Sequence, residues 1–203
     1  MEVNMNKRFI GLFMILAIGV MIPLQSYAAT PKETVETGVN NLLTTLGDST
    51  FKAKAKDKQI AEIGVQIEKV FDFTELSKRT LGRDWKKMSA EQQKEFVKLF
   101  KQLLQGVYAD RLLAYSDQKV IFDQEKMLKK GRAEVQSYLQ TSDGKKIPLF
   151  YRLTNKSGSW KVYDVIIEGV SMVKNYRTQF RQILAKDSPD KLIEILRDKV
   201  NKG

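Results

Sequence analysis

The chain has 203 residues, of which 42% are hydrophobic and 29% are charged, as is ordinary for a single globular domain. It contains no cysteine and no histidine, which excludes disulfides, Ser-His-Asp and Cys-His catalysis and most zinc sites. The formal charge of +11 is spread over the whole length rather than gathered into a block. This distribution favours a solvated basic surface over a nucleic-acid groove.

The first 28 residues have the pattern of a secretory signal peptide. Lys7 and Arg8 form a positive start, residues 9–22 form an uncharged apolar run, and residues 26–28 (Ser-Tyr-Ala) place small side chains before the cleavage point. The run is shorter than the roughly 20 residues of a spanning helix. We therefore predict cleavage after Ala28, export to the periplasm and one domain over residues 29–203, with an uncleaved anchor as the alternative.

Four helices are predicted before any strand. Thr30, Pro31 and Glu33 combine a capping box with a proline at the first helical position, and helical apolar spacing continues to residue 46. Two more helices are predicted over residues 54–70 and about 73–81. The longest begins at Ser89 and runs to about residue 114, with a broad apolar stripe typical of a helix that covers a sheet.

Beyond residue 115 the apolar spacing changes from helical to alternating. Four strands are predicted, at residues 120–122, 132–141, 147–153 and 160–167. Asp143-Gly144 is a hairpin signal between the second and third strands. Pro148 is expected at an edge or bulge position. The fourth strand is apolar on both alternation sets, which indicates that both of its faces are covered.

The fourth strand leads directly into a helix. Glu168-Gly169 interrupts the strand pattern, and apolar residues then recur at helical spacing from Val173 to Ile183. A last helix begins at Ser188-Pro189. The predicted fold is α+β, a four-stranded curved antiparallel meander sheet with helices before and after it that cover one face.

The candidate catalytic groups lie on the last two strands and the helix that follows: Tyr151, Tyr163, Asp164, Glu168 and Arg177. Asp164 stands in an apolar strand, where a carboxylate can act as a general base. The alternative, which we favour, is that an arginine or backbone donors pair with it. The sequence has no phosphate loop, helical histidine pair or calcium loop. Apolar stripes that only fill the core of an interaction protein are a further alternative, because spacing does not distinguish a core from a cavity wall.

Two adjacent segments resemble a known family. Residues 160–172 (WKVYDVIIEGVSM) are similar to the W-x-V-x-D-V-x-x-E-G-[VI]-S stretch of the MlaC family, also called the toluene-tolerance auxiliary family, whose members are periplasmic phospholipid-binding components of the Mla transport system. Residues 175–180 (NYRTQF) resemble the family's N-Y-R-x-Q-F helix. Less specific similarities lie at residues 71–73, 81–85, 89–108 and 190–196, so the resemblance covers nearly the whole mature chain.

The resemblance implies a non-enzymatic shuttle in the periplasm of a Gram-negative bacterium. Such a protein carries phospholipid between an outer-membrane lipoprotein–porin complex and an inner-membrane ABC transporter with an MCE-domain ring, and so contributes to outer-membrane lipid asymmetry. The implied fold is an NTF2/cystatin-like sheet extended by helices around an apolar lipid cavity. No cofactor is expected besides the phospholipid cargo, and no nucleic acid. A carrier of hopanoid or another lipid is the alternative.

The resemblance also implies which side chains contact the lipid. Apolar residues of the longest helix, the sheet and the following helix are predicted to line the cavity: Phe100, Leu103, Leu104, Val107, Val135, Leu149, Tyr151, Trp160, Val162, Ile166, Val173 and Phe180. Asp164 and Arg177 are expected to be structural anchors. An NTF2-like enzyme with Asp164 as its base is the less favoured alternative.

Overall fold

The structure, a computed structural model, describes residues 29–115 and 119–202 and consists of helices around one antiparallel sheet. The predicted signal peptide lies outside the described residues. The helices are α1 (Pro31–Gly47), α2 (Ser49–Lys52), α3 (Lys56–Val70), α4 (Phe73–Leu81), a 3-10 turn (Asp84–Lys87), α5 (Ala90–Leu113), α6 (Met172–Leu184) and α7 (Pro189–Lys202). The strands are β1 (Lys119–Lys129), β2 (Arg132–Gln140), β3 (Lys146–Thr154), β4 (Lys161–Ile167) and β5 (Val170–Ser171). The predicted α+β class is confirmed.

Capping boxes start α1 and α5 at the predicted residues. The Thr30 hydroxyl accepts from the Glu33 N–H at 3.1 Å, and the Glu33 carboxylate accepts from the Thr30 N–H at 2.8 Å. Ser89 and Gln92 form the same reciprocal pair at α5. Each box satisfies backbone donors that the first turn of a helix leaves unpaired. The local sequence therefore determines both helix starts.

The strands form an antiparallel meander in the order β1-β2-β3-β4-β5, one strand more than predicted. Glu168 and Gly169 have φ angles of 49° and 81° and turn the chain so that β5 pairs with Ile166 and Ile167. Two successive positive φ angles are typical of the tightest hairpin turns. Because β5 has only two residues, no alternation marks it in the sequence.

The first strand is much longer than residues 120–122. β1 reaches Lys129 because it pairs with β2 along its whole length, with register shifts after Phe122 and Met127. It lies at the edge of the sheet, and the side chains of residues 123–129 are exposed. Its second half therefore lacks the apolar alternation of a half-buried strand.

Pro148 lies in β3, the middle strand of the sheet, so the prediction of an edge or bulge position was wrong. Pairing between β3 and β4 begins one residue later, at Leu149 and Ile167. The Pro148 carbonyl accepts from the Glu168 N–H at 3.0 Å. Since the nitrogen and oxygen of one strand residue face the same neighbouring strand, the missing N–H faces a position where β4 has already ended. The proline thus removes no ladder hydrogen bond.

A one-residue bulge in β4 lets Val162 and Val165 share a face of the sheet. Val162 pairs with Leu153 and Asp164 with Arg152, so Tyr163 is the extra residue. Side chains three positions apart would otherwise point to opposite faces. The bulge thus keeps both valines on the face that packs against α1.

Two large apolar clusters form the interior of the molecule. One joins α4, α5, α6 and α7 and has crossed aromatic rings at its centre, with ring centroids 4.9 Å apart for Phe100 and Tyr176 and 5.4 Å for Phe96 and Phe180. The other joins α1 to the sheet. A smaller cluster connects α1, α2 and α3. Within the described ranges, every helix is too short or too polar to cross a membrane.

The corner between β4 and α6 depends on Asp164, which is 2% exposed. Its Oδ1 accepts from the Val173 N–H at 3.0 Å, and its Oδ2 accepts from the Ser171 hydroxyl at 2.7 Å. The Arg152 guanidinium lies 3.8 Å from Oδ2, and the Ser171 hydroxyl accepts from the Lys174 N–H. A buried carboxylate is stable here because every partner is a donor and the start of α6 carries a partial positive charge.

Arg177 ties α6 to the end of α4. Its Nε and Nη2 donate to the carbonyl of Arg79 at 2.8 and 2.5 Å, and so satisfy an acceptor in the last turn of α4. The Arg79 guanidinium in turn lies 3.8 Å above the ring centre of Tyr163. The extra residue of the bulge therefore contacts the same helix that Arg177 anchors.

Glu75 connects α4 to the turn between β3 and β4. Its carboxylate lies 2.7 Å from the Lys156 Nζ and 2.7 Å from the Arg79 Nη2, the latter a charge contact without an aligned hydrogen bond. Burial would raise the pKa of Glu75, but the two cations outweigh it and hold the pKa below its ordinary value of 4.5. The ionised form of Glu75 thus stabilises the fold.

We expect Asp164→Ala to lower the free energy of unfolding by about 3 kcal/mol, because it leaves a buried N–H and part of a guanidinium without an acceptor. Asp164→Asn keeps one acceptor oxygen and should lose less, about 1 to 2 kcal/mol. Urea unfolding at neutral pH measures both losses. The control is Asp110→Ala, which removes a 74% exposed carboxylate paired with Lys56 and should change stability by less than about 0.5 kcal/mol. Equal stability of all three variants would refute the anchoring role.

We expect the stability advantage of the wild type over Glu75→Gln to depend on pH. The folded-state pKa is below 4.5, so the contribution of Glu75 is fully present above pH 4.5 and is lost as the pH falls through the folded-state pKa. Urea unfolding at neutral pH and at several pH values below 4.5 should show the two free energies converging. A constant difference across this range would contradict the assignment.

Candidate functional site

A cavity of about 540 Å³ lies between the sheet and helices α1, α3 and α5. Its helical walls are mostly aliphatic: Val35, Val39, Leu42, Leu43 and Leu46 of α1, Ile60, Ile63, Ile67 and Val70 of α3, and Leu104, Tyr108, Ala109 and Leu112 of α5. Its sheet wall consists of Val120, Leu139, Ile147, Leu149, Tyr151, Val162, Val165 and Ile167. The volume is in the range typical of small-molecule sites.

Helical and strand periodicity together build this wall. On α1 and α3 the lining residues recur every three or four positions, so that one stripe of each helix faces the cavity. On β3, Leu149 and Tyr151 are two apart, and on β4 the bulge brings Val162 onto the face of Val165 and Ile167. Gly38 lets α1 approach α3 closely, because a Cβ there would collide with the Val70 side chain.

The few polar groups of the cavity interior are uncharged. The Gln66 amide donates to the Thr45 hydroxyl at 2.6 Å, while its Oε1 is buried without a partner in the described part of the chain. Burial raises the pKa of the Tyr151 hydroxyl, against the opposing effect of its hydrogen bond with Ser137, so the hydroxyl stays neutral. Gln105 also faces the cavity, over Gly64. Such an interior accommodates hydrocarbon and offers no charge to a polar ligand.

Two charged residues lie where the cavity meets solvent. Arg111, in the last turn of α5, and Glu168, in the turn after β4, are both exposed and both line the cavity. Val120, Leu139 and Ile147 lie at the same end of the sheet, near the start of β1 and the β2–β3 turn. We take this end as the opening.

Four of the side chains predicted to contact lipid line this cavity: Leu104, Leu149, Tyr151 and Val162. Val135 and Trp160 belong to the sheet cluster next to it. Ile166 points to the opposite face of β4, because its neighbours Val165 and Ile167 face the cavity.

The remaining predicted residues lie in the helical part of the molecule. Phe100, Val173 and Phe180 are buried in the cluster of α4 to α7. Leu103 and Val107 line a separate cleft of about 190 Å³ between α5 and α7. The broad stripe of α5 explains this division, since the helix packs against α6 and α7 with one side and borders the cavity with another.

Sequence reasoning missed the lining residues of α1 and α3. Their apolar stripes are visible in the sequence, in the spacing of Val35, Val39, Leu42 and Leu46 and of Ile60, Ile63 and Ile67. The sequence does not say which surface each stripe faces. The stripes of α1 and α3 can therefore be read from the sequence, whereas the surface that each of them packs against cannot.

The geometry does not support catalysis by Asp164. Its carboxylate already accepts from Ser171 and Val173 and lies beside Arg152, and it is not among the cavity-lining groups. Nowhere in the described ranges do three acidic side chains converge as a metal site would require. The cavity also argues against apolar stripes that only fill a core.

Comparisons with known proteins agree on one family. Residues 36–198 match the family model described as MlaC protein. A Haemophilus influenzae protein named intermembrane phospholipid transport system binding protein MlaC is 37% identical over 119 residues, which are 57% of this chain and 56% of that protein. The Pseudomonas putida toluene tolerance protein ttg2D is 29% identical over 183 residues, covering 89% of this chain and 84% of that one.

A solved structure shares the fold. The phospholipid-binding protein from Ralstonia solanacearum, determined in complex with a phospholipid, matches with a TM-score of 0.79 and 26% identity over 86% of this chain and 98% of that one. The alignment to the Haemophilus protein spans just over half of that relative's length, whereas the family match takes in the sheet, the cavity helices and the corner at Asp164. On this evidence the chain belongs to the MlaC family.

Proposed function

We propose that the protein is a non-enzymatic carrier that holds a phospholipid in the cavity between the sheet and helices α1, α3 and α5. The cavity of about 540 Å³ with an uncharged, mostly aliphatic interior is the observation that carries the proposal. It is supported by the Ralstonia relative, whose structure contains a phospholipid. Each CH₂ group of an acyl chain removed from water contributes about 0.8 kcal/mol, so hydrocarbon burial alone can supply tight binding.

The position of the charged groups orients the cargo. Acyl chains occupy the space between Leu42, Ile67 and Leu149, where no ionised side chain lines the wall. The headgroup stays at the opening beside Arg111 and Glu168. One cation and one carboxylate there suit a zwitterionic or a singly charged headgroup, and contact with solvent makes strong headgroup selection unnecessary.

The carrier acts in the periplasm. It passes phospholipid between an outer-membrane lipoprotein–porin complex and an inner-membrane ABC transporter with an MCE-domain ring, and so contributes to outer-membrane lipid asymmetry. The predicted signal peptide and the name of the Haemophilus relative, which refers to an intermembrane phospholipid transport system, support this part of the proposal.

Export is tested on the protein expressed from its full sequence in a Gram-negative host. We expect the soluble periplasmic fraction to contain a chain whose first residue is Ala29, as determined by N-terminal sequencing or intact mass. A chain that keeps Met1 and stays with the membrane fraction would instead indicate an uncleaved anchor.

Cargo binding is tested by placing a charge in the wall. Leu149→Glu introduces a carboxylate among aliphatic side chains, and the desolvation cost should reduce copurified lipid at least about tenfold. Native mass spectrometry of protein purified from a membrane-containing host measures the lipid-bound fraction and the cargo mass. Ile121→Glu is the matched control, since Ile121 lies on β1, is 42% exposed and does not line the cavity.

The outcome separates the alternatives. Loss of lipid in Leu149→Glu but not in Ile121→Glu supports the cavity, provided that circular dichroism shows both variants folded. Equal lipid content in both variants, or wild-type protein that cannot be loaded with any lipid, refutes the carrier function. A copurified mass that matches a hopanoid would replace phospholipid as the cargo.

A further inference from the structure

The end of β1, next to the turn of the β1–β2 hairpin, carries two large apolar side chains that are exposed to solvent. We call residues 126–133 the hairpin tip. Within it, Met127 is 56% exposed and Leu128 is 49% exposed. Met127 pairs with Ala133, and Leu128 is the extra residue of the register shift before Lys129, so the two side chains leave the ribbon where its pairing is irregular. Exposed apolar residues are ordinary when they are scattered singly, but here two lie side by side at a projecting turn.

Basic residues surround this apolar pair. The hairpin tip contains Lys126, Lys129, Lys130 and Arg132 and no acidic residue. None of these four cations forms an ion pair with any side chain in the described part of the protein. The tip is therefore a local positive charge that the protein itself leaves uncompensated.

The nearest carboxylates are engaged elsewhere. Glu134 stands opposite Lys126 in the strand register but lies 3.1 Å from the Arg152 guanidinium. Glu125 accepts from the Lys32 N–H at 2.9 Å and so holds the hairpin to the start of α1. These acids fix the base of the hairpin and do not neutralise its tip.

The tip is also held in place by its neighbours. Gly131, with a φ of 69°, forms the turn, and its carbonyl accepts from the Asn155 N–H at 3.0 Å. The turn between β3 and β4 therefore braces the turn between β1 and β2. The apolar and basic side chains project from a supported ribbon rather than from a free loop.

We propose that the hairpin tip docks on an anionic lipid surface, with Met127 and Leu128 at the boundary of the acyl chains and the four cations among the headgroup phosphates. Apolar side chains next to lysine and arginine are the combination that binds membrane interfaces. Each cation near such a surface strengthens binding about fivefold. An anionic lipid surface complements both the four cations without ion-pair partners and the two exposed apolar side chains.

The docking surface lies at the end of the sheet away from the opening. Val120 lines the cavity near its opening, and Met127 stands seven residues farther along β1, about 20 Å away at strand spacing. A docked protein keeps Arg111 and Glu168 off the bilayer that the tip contacts. Docking thus retains the protein at the membrane and leaves its opening free for another partner, a role that rests on the proposed carrier function.

Vesicle co-sedimentation of the mature protein tests the docking. The vesicles contain either phosphatidylcholine alone or equal parts of phosphatidylcholine and phosphatidylglycerol. We expect binding to the anionic vesicles that weakens as salt is raised. The double variants Met127→Ser/Leu128→Ser and Lys129→Gln/Lys130→Gln should each lower the partition coefficient at least about tenfold, the latter from the loss of two cations.

The controls remove an exposed apolar side chain, or two cations, at positions away from the hairpin tip. Val65→Ser removes an apolar side chain that is 58% exposed on α3. Lys58→Gln/Lys86→Gln lowers the net charge by the same amount at exposed positions that form no ion pair in the described chain. Both control proteins should bind anionic vesicles within about twofold of the wild type, since single surface charges away from the interface matter little.

Three results would overturn the docking proposal: no wild-type binding to anionic vesicles, equal binding to the neutral ones, or tip variants that bind like the controls. Native mass spectrometry of the same tip variants keeps this outcome separate from the carrier function. Tip variants should retain the wild-type lipid content. If the protein fails to bind vesicles while Leu149→Glu still loses lipid, the docking proposal is refuted and the carrier function is retained.

Discussion

The carboxylate of Asp164 lies where the sheet meets α6, and its partners come from β3, β5 and the first turn of α6. Because it accepts from the first turn of α6 and from Ser171, the direction in which the helix leaves the sheet is fixed. That direction places Tyr176 and Phe180 against the rings of α5. The same interaction directs the only carboxylate within β4 away from the cavity, so the other face of that strand remains apolar.

Because the interior of the cavity wall has no ionised groups, binding there does not depend on the protonation of a side chain near neutral pH. The chain contains no histidine, so no imidazole titrates near neutral pH, and the buried hydroxyl of Tyr151 is kept neutral. For the proposed carrier, cargo affinity then depends on the hydrocarbon area that is buried rather than on a protonation state. Cargo that binds only the folded protein also stabilises it, so under this proposal the lipid acts as a removable part of the hydrophobic core.

The sequence predicts those features of the fold that local chemistry determines. The capping boxes at Thr30 and Ser89 and the Asp143-Gly144 hairpin each satisfy backbone groups within a few residues, and their positions follow from the residue types alone. The second half of β1 and the whole of β5 exist because another strand pairs with them. That information is not contained in their own patterns, so both were missed.

The residues of the candidate site also divide into those that local spacing predicts and those that depend on a neighbouring element. Alternation on β3 identifies Leu149 and Tyr151, and both line the cavity. The helices are less informative, because the apolar stripe of α5 serves two neighbours. Phe100 and Leu104 both belong to the apolar stripe of α5. Phe100 packs against Tyr176 of α6, whereas Leu104 borders the cavity. The contribution of α1 and α3 depends on which helices close over the sheet, and no single stripe encodes that.

The extra residue in β4 makes the strand one position longer than its pairing requires. If Tyr163 were removed, Val162 would still oppose Leu153 and Asp164 would still oppose Arg152, so the apolar face would keep its residues. Removing Asp164 instead would let Tyr163 oppose Arg152, which also restores regular pairing but takes away the cap of α6. The composition of this wall therefore depends on residue count as well as residue type, and Tyr163 is the bulge residue whose deletion keeps both the apolar face and the cap of α6.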